Sequence, residues 1–144
     1  HGLHSLINNS PFKNRIIFTG KLNRTEIALQ IKYSYCLVLD RPNNIQAKYG
    51  FPTKLGEYLA SGKPVIITKV GDIPLYLTDS INAYLAEPDN IESYSEKLRE
   101  CLSNPIQAQK IGLEGQKLAY NEFNYLKCVH KMLEQIEGRR IISI

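Results

Sequence analysis

The 144-residue sequence has no tryptophan, one methionine, three histidines and three cysteines. Cys36, Cys101 and Cys128 are odd in number and far apart, with no CxxC pair and no histidine cluster near them, which argues against a disulfide framework and against a zinc site. Long hydrophobic runs are also missing: the longest hold four or five residues, too short to span a membrane. Neither sign of charge dominates. Eighteen basic against fourteen acidic residues leave +4, scattered except for Arg139 and Arg140. That balance suits phosphate ligands or acidic lipid, and without a basic stripe interleaved with aromatics it does not call for nucleic acid. There is no internal repeat and no low-complexity segment.

The sequence also lacks an opening methionine and a visible signal peptide. It starts His1-Gly2, and its first residues read as the end of a helix. The expectation is therefore one domain, residues 1–144, excised or processed from a larger protein, with an upstream domain missing. A reducing cytosol is the simplest setting for unpaired cysteines. Peripheral membrane association of the full protein is compatible with the mild positive charge.

What is present is ordinary for a globular α/β domain, 43% hydrophobic and 22% charged, and the informative stretch is GFPTKLGEYLASGKPVIIT, Gly50 to Thr68. Pro52 fixes its own φ and keeps Phe51 extended, so the spacing predicts a helix that opens at about Lys54 behind a Thr53 cap. Gly62 supplies a left-handed stop and Pro64 prevents continuation, leaving Val65 to Thr68 as a buried strand. Lys54, Glu57 and Ser61 fall on one stripe of this helix, with Leu55 and Leu59 turned toward a core. Free amides, the positive end of the helix dipole, the Thr53 hydroxyl and the Lys54 ammonium converge at one end, as a diphosphate requires. Glu57 is placed to accept hydrogen bonds from a sugar diol. The competing reading is a solvated Lys54–Glu57 ion pair.

Around this unit the pattern predicts a helix end at His4 to Asn8 and a strand at Ile16 to Phe18. A loop at Thr19 to Asn23 follows, then a helix capped by Asn23 or Thr25, then a strand at Cys36 to Leu39. Asp40 to Pro52 reads as a long loop, of a length that is usually functional. Lys69 to Asp72 is a second loop, followed by a short helix near Pro74 to Leu77 and a strand at Ala83 to Ala86. Helices are expected over Ile91 to Leu102 behind an Asp89 cap, from Pro105, and over Tyr125 to Ile136. Ile91, Tyr94, Leu98, Cys101 and Leu102 are expected to form the buried stripe of the first of these, with Ile106, Ile111 and Leu118 the apolar positions of the second. Four apolar strands alternating with helices imply a Rossmann-like parallel sheet with helices on both faces and a C-terminal helical tail. Ligands of such folds bind beyond the carboxyl ends of the strands.

FTGKL at Phe18 to Leu22, the Gly50 to Thr68 block, VGDIP at Val70 to Pro74, NAYLAEPDN at Asn82 to Asn90 and Tyr120-Asn121-Glu122-Phe123 occur in the order found in family 4 glycosyltransferases. From about Arg15 to Ile136 the chain resembles the C-terminal, donor-binding half of those GT-B enzymes. The resemblance implies transfer of a sugar from a nucleoside diphosphate sugar, with retention of configuration and no metal, to an acceptor held by an N-terminal domain, in polysaccharide biosynthesis. It also implies that Glu57 hydrogen-bonds the donor ribose. Gly50, Phe51, Pro52, Thr53 and Lys54 would lie beside the diphosphate and sugar, and Gly20, Lys21 and Leu22 would bracket the base. No catalytic residue is assigned. Tyr49 stands where the family often carries a second glutamate, and the family's upstream Arg and Lys clamp has no counterpart here. Missing early strands would leave a sheet edge open to self-association.

Two other classes fit the pattern less well. A phosphoacceptor receiver module could use Asp40 at a strand end, yet Thr19-Gly20-Lys21 stands where an acidic pair would be needed. A nucleotide-sugar epimerase of GT-B architecture would share the phosphate site, and fold alone does not separate it from a transferase.

Overall fold

The computed structural model describes residues 2–140. They divide into two compact units, His1–Gln30 and Ile31–Ile144. In the first unit α1 (Gly2–Asn8) ends at the Asn9-Ser10 turn, and a single 3-10 turn covers Lys13–Arg15. The expected strand at Ile16 to Phe18 does not form. The segment is irregular, with Ile17 82% exposed, and it joins no ladder among the described residues, without which an extended segment is not a strand. α2 (Arg24–Tyr33) begins behind a reciprocal cap: the Glu26 amide donates to Asn23 Oδ1 at 3.0 Å and the Asn23 amide to Glu26 Oε2 at 2.7 Å. Asn23, not Thr25, is thus the cap.

The second unit is built on three parallel strands in the order β1-β2-β3, one fewer than the pattern implied. β1 (Leu37–Leu39) pairs with β2 (Val65–Thr68), Val38 opposite Ile66, and β2 pairs with β3 (Tyr84–Ala86), Ile67 opposite Leu85. All four β2 side chains are buried, and successive ones enter different layers. Val65 and Ile67 pack with Leu55, Leu59, Ile73, Leu77 and Ala119, whereas Ile66 packs with Tyr84, Cys101, Ala108 and Ile111. Helices therefore cover both faces of the sheet, as a continuous apolar strand demands. Each fully buried Leu or Ile contributes about 1.5–3 kcal/mol.

The stretch read as a long loop, Asp40 to Pro52, contains α3 (Ile45–Tyr49), capped by Asn44, whose side chain accepts from the Ala47 amide. α4 (Thr53–Ala60) leads into β2 through Gly62, whose φ of +73° is the left-handed stop. α5 (Ile73–Tyr76) precedes β3, and α6 (Ile91–Ser103), α7 (Pro105–Glu122) and α8 (Tyr125–Arg140) follow it among the described residues. Asn90, not Asp89, caps α6, because Asp89 takes a left-handed φ of +56° and leaves the next residue's side chain to meet the Ser93 amide. Cys101 is the buried member of the α6 stripe. Ile91 and Leu102, at 79% and 54% exposure, lie off it, and on α7 Ile106 is exposed while Ile111 is buried.

Candidate functional site at the carboxyl end of the sheet

Since β1, α4 and β2 form a parallel crossover, α4 runs antiparallel to the strands and its N-terminus lies at their carboxyl end. Three segments share that end: Asp40 and Arg41 after β1, Lys69 to Asp72 after β2, and Glu87 to Asp89 after β3. They are tied together. The buried Thr68 hydroxyl donates to the Arg41 carbonyl and accepts from the Arg41 amide, both at 2.8 Å. The Asn43 amide donates to Asp89 Oδ2 at 3.2 Å, and Lys69 pairs with Glu87. Arg41 Nη2 donates to the Gly50 carbonyl at 2.6 Å, closing the excursion that carries α3. Gly50 is held so close that a Cβ there would lie 2.7 Å from the Gln46 carbonyl oxygen. At Gly71, φ +62°, a Cβ would meet the Lys48 carbonyl at 2.5 Å, so the loop after β2 rests on the end of α3.

α4 starts one residue earlier than its spacing suggested. Pro52, extended at φ −75° and ψ 111°, takes the cap position and Thr53 is the first helical residue. Proline has no side-chain acceptor, so no side chain caps the helix. Among the described residues the amides of Thr53 and Lys54 have no hydrogen-bond partner, and the Thr53 hydroxyl is likewise unengaged. Lys54 and Glu57 are exposed, and neither side chain forms an ion pair or hydrogen bond with the described residues. The solvated pair that was the competing reading is not formed. Ser61, by contrast, is spent on the helix end: its hydroxyl donates to the Tyr58 carbonyl and accepts from the Lys63 amide.

Gly50, Pro52, Thr53, Lys54 and Glu57 are thus gathered on one loop and one helical turn. Phe51 belongs to the same loop, but its ring joins a cluster with Tyr76 and Phe123. Gly20, Lys21 and Leu22 belong to the first unit, where Gly20 adopts φ +65° ahead of α2 and Lys21 is exposed. Tyr49 is 88% exposed at the end of α3. A cavity of about 500 Å³ at the same end of the sheet is lined by Asp40, Asp89, Asn90, Ile91, Tyr94 and Ser95. Burial, reinforced by the nearby Asp40 charge, pushes the Tyr94 phenol up to about 12. Sequence reading did not single out Arg41 and Thr68, the residues that fix the loop. Nothing in the pattern marks an arginine that bonds nine residues onward.

A bare helix N-terminus flanked by Lys54 and Glu57, at the carboxyl end of a parallel sheet covered by helices on both faces, places the chain in the Rossmann-like α/β class, whose ligands bind at that end. The family model described as glycosyl transferases group 1 matches residues 1–118, and the chain belongs to that family. It is 30% identical over 131 residues to an uncharacterized glycosyltransferase of Methanocaldococcus jannaschii, covering 88% of this chain and 35% of that protein. The C-terminal domain of a glycosyl transferase group 1 family protein (LpcC) from Francisella tularensis superposes with a TM-score of 0.72 at 27% identity, over 84% of this chain and 60% of that one. HepE of Anabaena, solved in complex with UDP-glucose, superposes with a TM-score of 0.80 at 19% identity, over 94% and 36%. The chain thus spans about a third of the length of the Methanocaldococcus relative. The fold is that of the C-terminal domain of GT-B glycosyltransferases.

Proposed function

We propose that this domain holds the donor in a transferase that moves a sugar from a nucleoside diphosphate sugar to an acceptor bound elsewhere in the protein. The observation that carries the reading is the open start of α4, where the Lys54 and Glu57 side chains and the Thr53 and Lys54 amides have no partner among the described residues. Lys54, the Thr53 hydroxyl and those amides receive the diphosphate, whose charge increases as the glycosidic bond breaks. Glu57, one turn along, accepts from the ribose hydroxyls. Gly50 to Pro52 shape the wall beside the transferred sugar. Family 4 chemistry with retention, a role in polysaccharide biosynthesis and a cytoplasmic, membrane-peripheral setting are the finer parts of this reading. The family membership and the HepE complexes with UDP and UDP-glucose support the donor class.

In this reading the 144-residue chain binds donor by itself but transfers no sugar, because the acceptor face and a closed, water-poor cleft belong to another part of the protein. A thermal-shift screen against nucleosides, nucleoside diphosphates and their sugar conjugates tests it. Stabilisation by one base series of diphosphates, at least as strong for the sugar conjugate, is expected. Absence of any shift at millimolar ligand contradicts the reading.

A further inference from the structure

The Gly50 to Lys54 loop has few hydrogen bonds of its own. Gly50 is held by Arg41, but neither backbone group of Phe51 has a hydrogen-bond partner among the described residues, and Pro52 has no N–H to give. What holds the middle of the loop is a ring contact. The Phe51 ring meets Tyr76 of α5 edge-on at 5.5 Å and 72°, and it meets Phe123, at the C-terminal cap of α7, at 5.4 Å. Tyr76 and Phe123 touch each other at 5.3 Å. Each ring contacts both others, in the tilted and edge-on geometries that the aromatic quadrupole favours.

Phe123 is well placed to act as the fixed jaw. Its amide donates to the Ala119 carbonyl at 3.0 Å, and Ala119 lies in the core beside Leu55 and Leu59 of α4. Its Cβ is also close to Gly56: a Cβ built on that glycine would lie 3.9 Å away, an ordinary contact. One residue from the helical tail therefore meets the loop before α4 through its ring and lies beside Gly56 at the start of α4.

We infer that Phe123, with Tyr76, is a positioning residue for the donor site: it clamps Phe51 and so presets the angle at which Pro52, Thr53 and the first amides of α4 meet the diphosphate. The inference rests on the nucleotide reading above, and it assigns a role in that site to the C-terminal tail. Without the clamp, Phe51 and Pro52 sample several conformations, and binding must select the competent one.

The test uses the whole 144-residue chain with Phe123→Ala, Phe123→Tyr and Tyr76→Ala, read by two measurements. Amide hydrogen exchange without ligand should quicken at Leu55, whose amide donates to the Pro52 carbonyl at 3.0 Å, in both alanine variants and remain unchanged in β2 and β3. Calorimetry with the nucleoside diphosphate that stabilises wild type should show binding about tenfold weaker, as expected if the competent fraction falls to about a tenth. Phe123→Tyr, which keeps the ring, should restore both. Unchanged exchange at Leu55, or faster exchange with unaltered affinity, would overturn the inference, as would a Tyr variant no better than Ala. If Phe123→Ala does not fold, Tyr76→Ala, which removes the more exposed jaw, decides by the same criteria. Wild type that binds no nucleoside diphosphate refutes the proposed function, and the positioning role with it, whereas altered exchange without altered binding refutes the positioning role alone.

Discussion

The two ends of α4 are treated in opposite ways by the rest of the chain. At its C-terminus every orphan group is met: the Gly62 amide donates to the Leu59 carbonyl at 3.0 Å, Gln116 Nε2 to the Ala60 carbonyl at 2.8 Å, and the Ser61 hydroxyl to Tyr58. α7 is pressed so hard on this turn that a Cβ on Gly112 would collide with the Gly62 carbonyl, and one on Gly115 would lie 2.6 Å from the Asn82 carbonyl. At the N-terminus, one to two turns away, no side chain caps the helix, and Lys54 and Glu57 have no partner among the described residues. Protein groups saturate the negative end of the dipole, while among the described residues no side chain meets the positive end. Stability is concentrated at one end, and the proposed recognition falls at the other.

That division predicts which substitutions affect folding and which affect binding. The largest effect is expected at the closed end. Gly112→Val should lower stability by about 1–3 kcal/mol or more in urea unfolding, since backbone rather than a flexible side chain opposes the new atoms. The molecules that remain folded should bind nucleotide normally. Wild-type stability in that variant would break the comparison at once.

Next comes the open end, where Glu57→Ala should weaken nucleoside diphosphate binding by about 1.5–3 kcal/mol, as for a hydrogen bond to a charged group. Its unfolding free energy should change by no more than about 0.5 kcal/mol, because the side chain contacts nothing that folding needs. Calorimetry beside urea unfolding reads both, and unaltered affinity would remove Glu57 from the site. Gln116→Ala should show the reverse pattern at smaller size, losing about 0.5–1.5 kcal/mol of stability with no change in binding.

The smallest effect is confined to alkaline solution. Burial pushes Tyr94 from 10.0 up to about 12, and its hydroxyl donates to the Ile66 carbonyl at 3.2 Å. A group whose folded pKa is raised contributes fully below its unfolded value, and the contribution is lost as pH climbs toward the folded one. The Tyr94 contribution should therefore be intact below pH 10 and fade between 10 and about 12. Tyr94→Phe should flatten that part of the stability profile, and a profile identical to wild type would contradict the assignment.

Much of the second unit could be read in the sequence because local chemistry and burial agree there. Pro52, Gly62 and Pro64 mark the boundaries of α4 and β2, and Leu55 and Leu59 are buried where periodicity puts them. The reading failed where structure depends on distant partners. Ile16 to Phe18 has the composition of a strand but joins no sheet among the described residues, and α3 is hidden in a loop-like composition because its stability comes from Asn44, Arg41 and the contact with Gly71. Asp89 looks like a cap but adopts a left-handed turn, and Asn90 takes the role. At the site, residue types at α4 were legible since helix-terminus chemistry is local. The Thr68–Arg41 bonds and the Phe51–Tyr76–Phe123 cluster join residues 25 or more positions apart, and no single-sequence pattern announces them.

The central claim is that the open end of α4 is an anion site within a nucleotide site. It is tested most directly by titrating the chain with a nucleoside and with its diphosphate at low and high salt. Charge should dominate: the diphosphate should bind far more tightly at low salt, the gap should narrow as salt screens Lys54 and the helix terminus, and Lys54→Ala should reduce it at every salt concentration. Equal affinity for the nucleoside and its diphosphate at low salt would contradict the account.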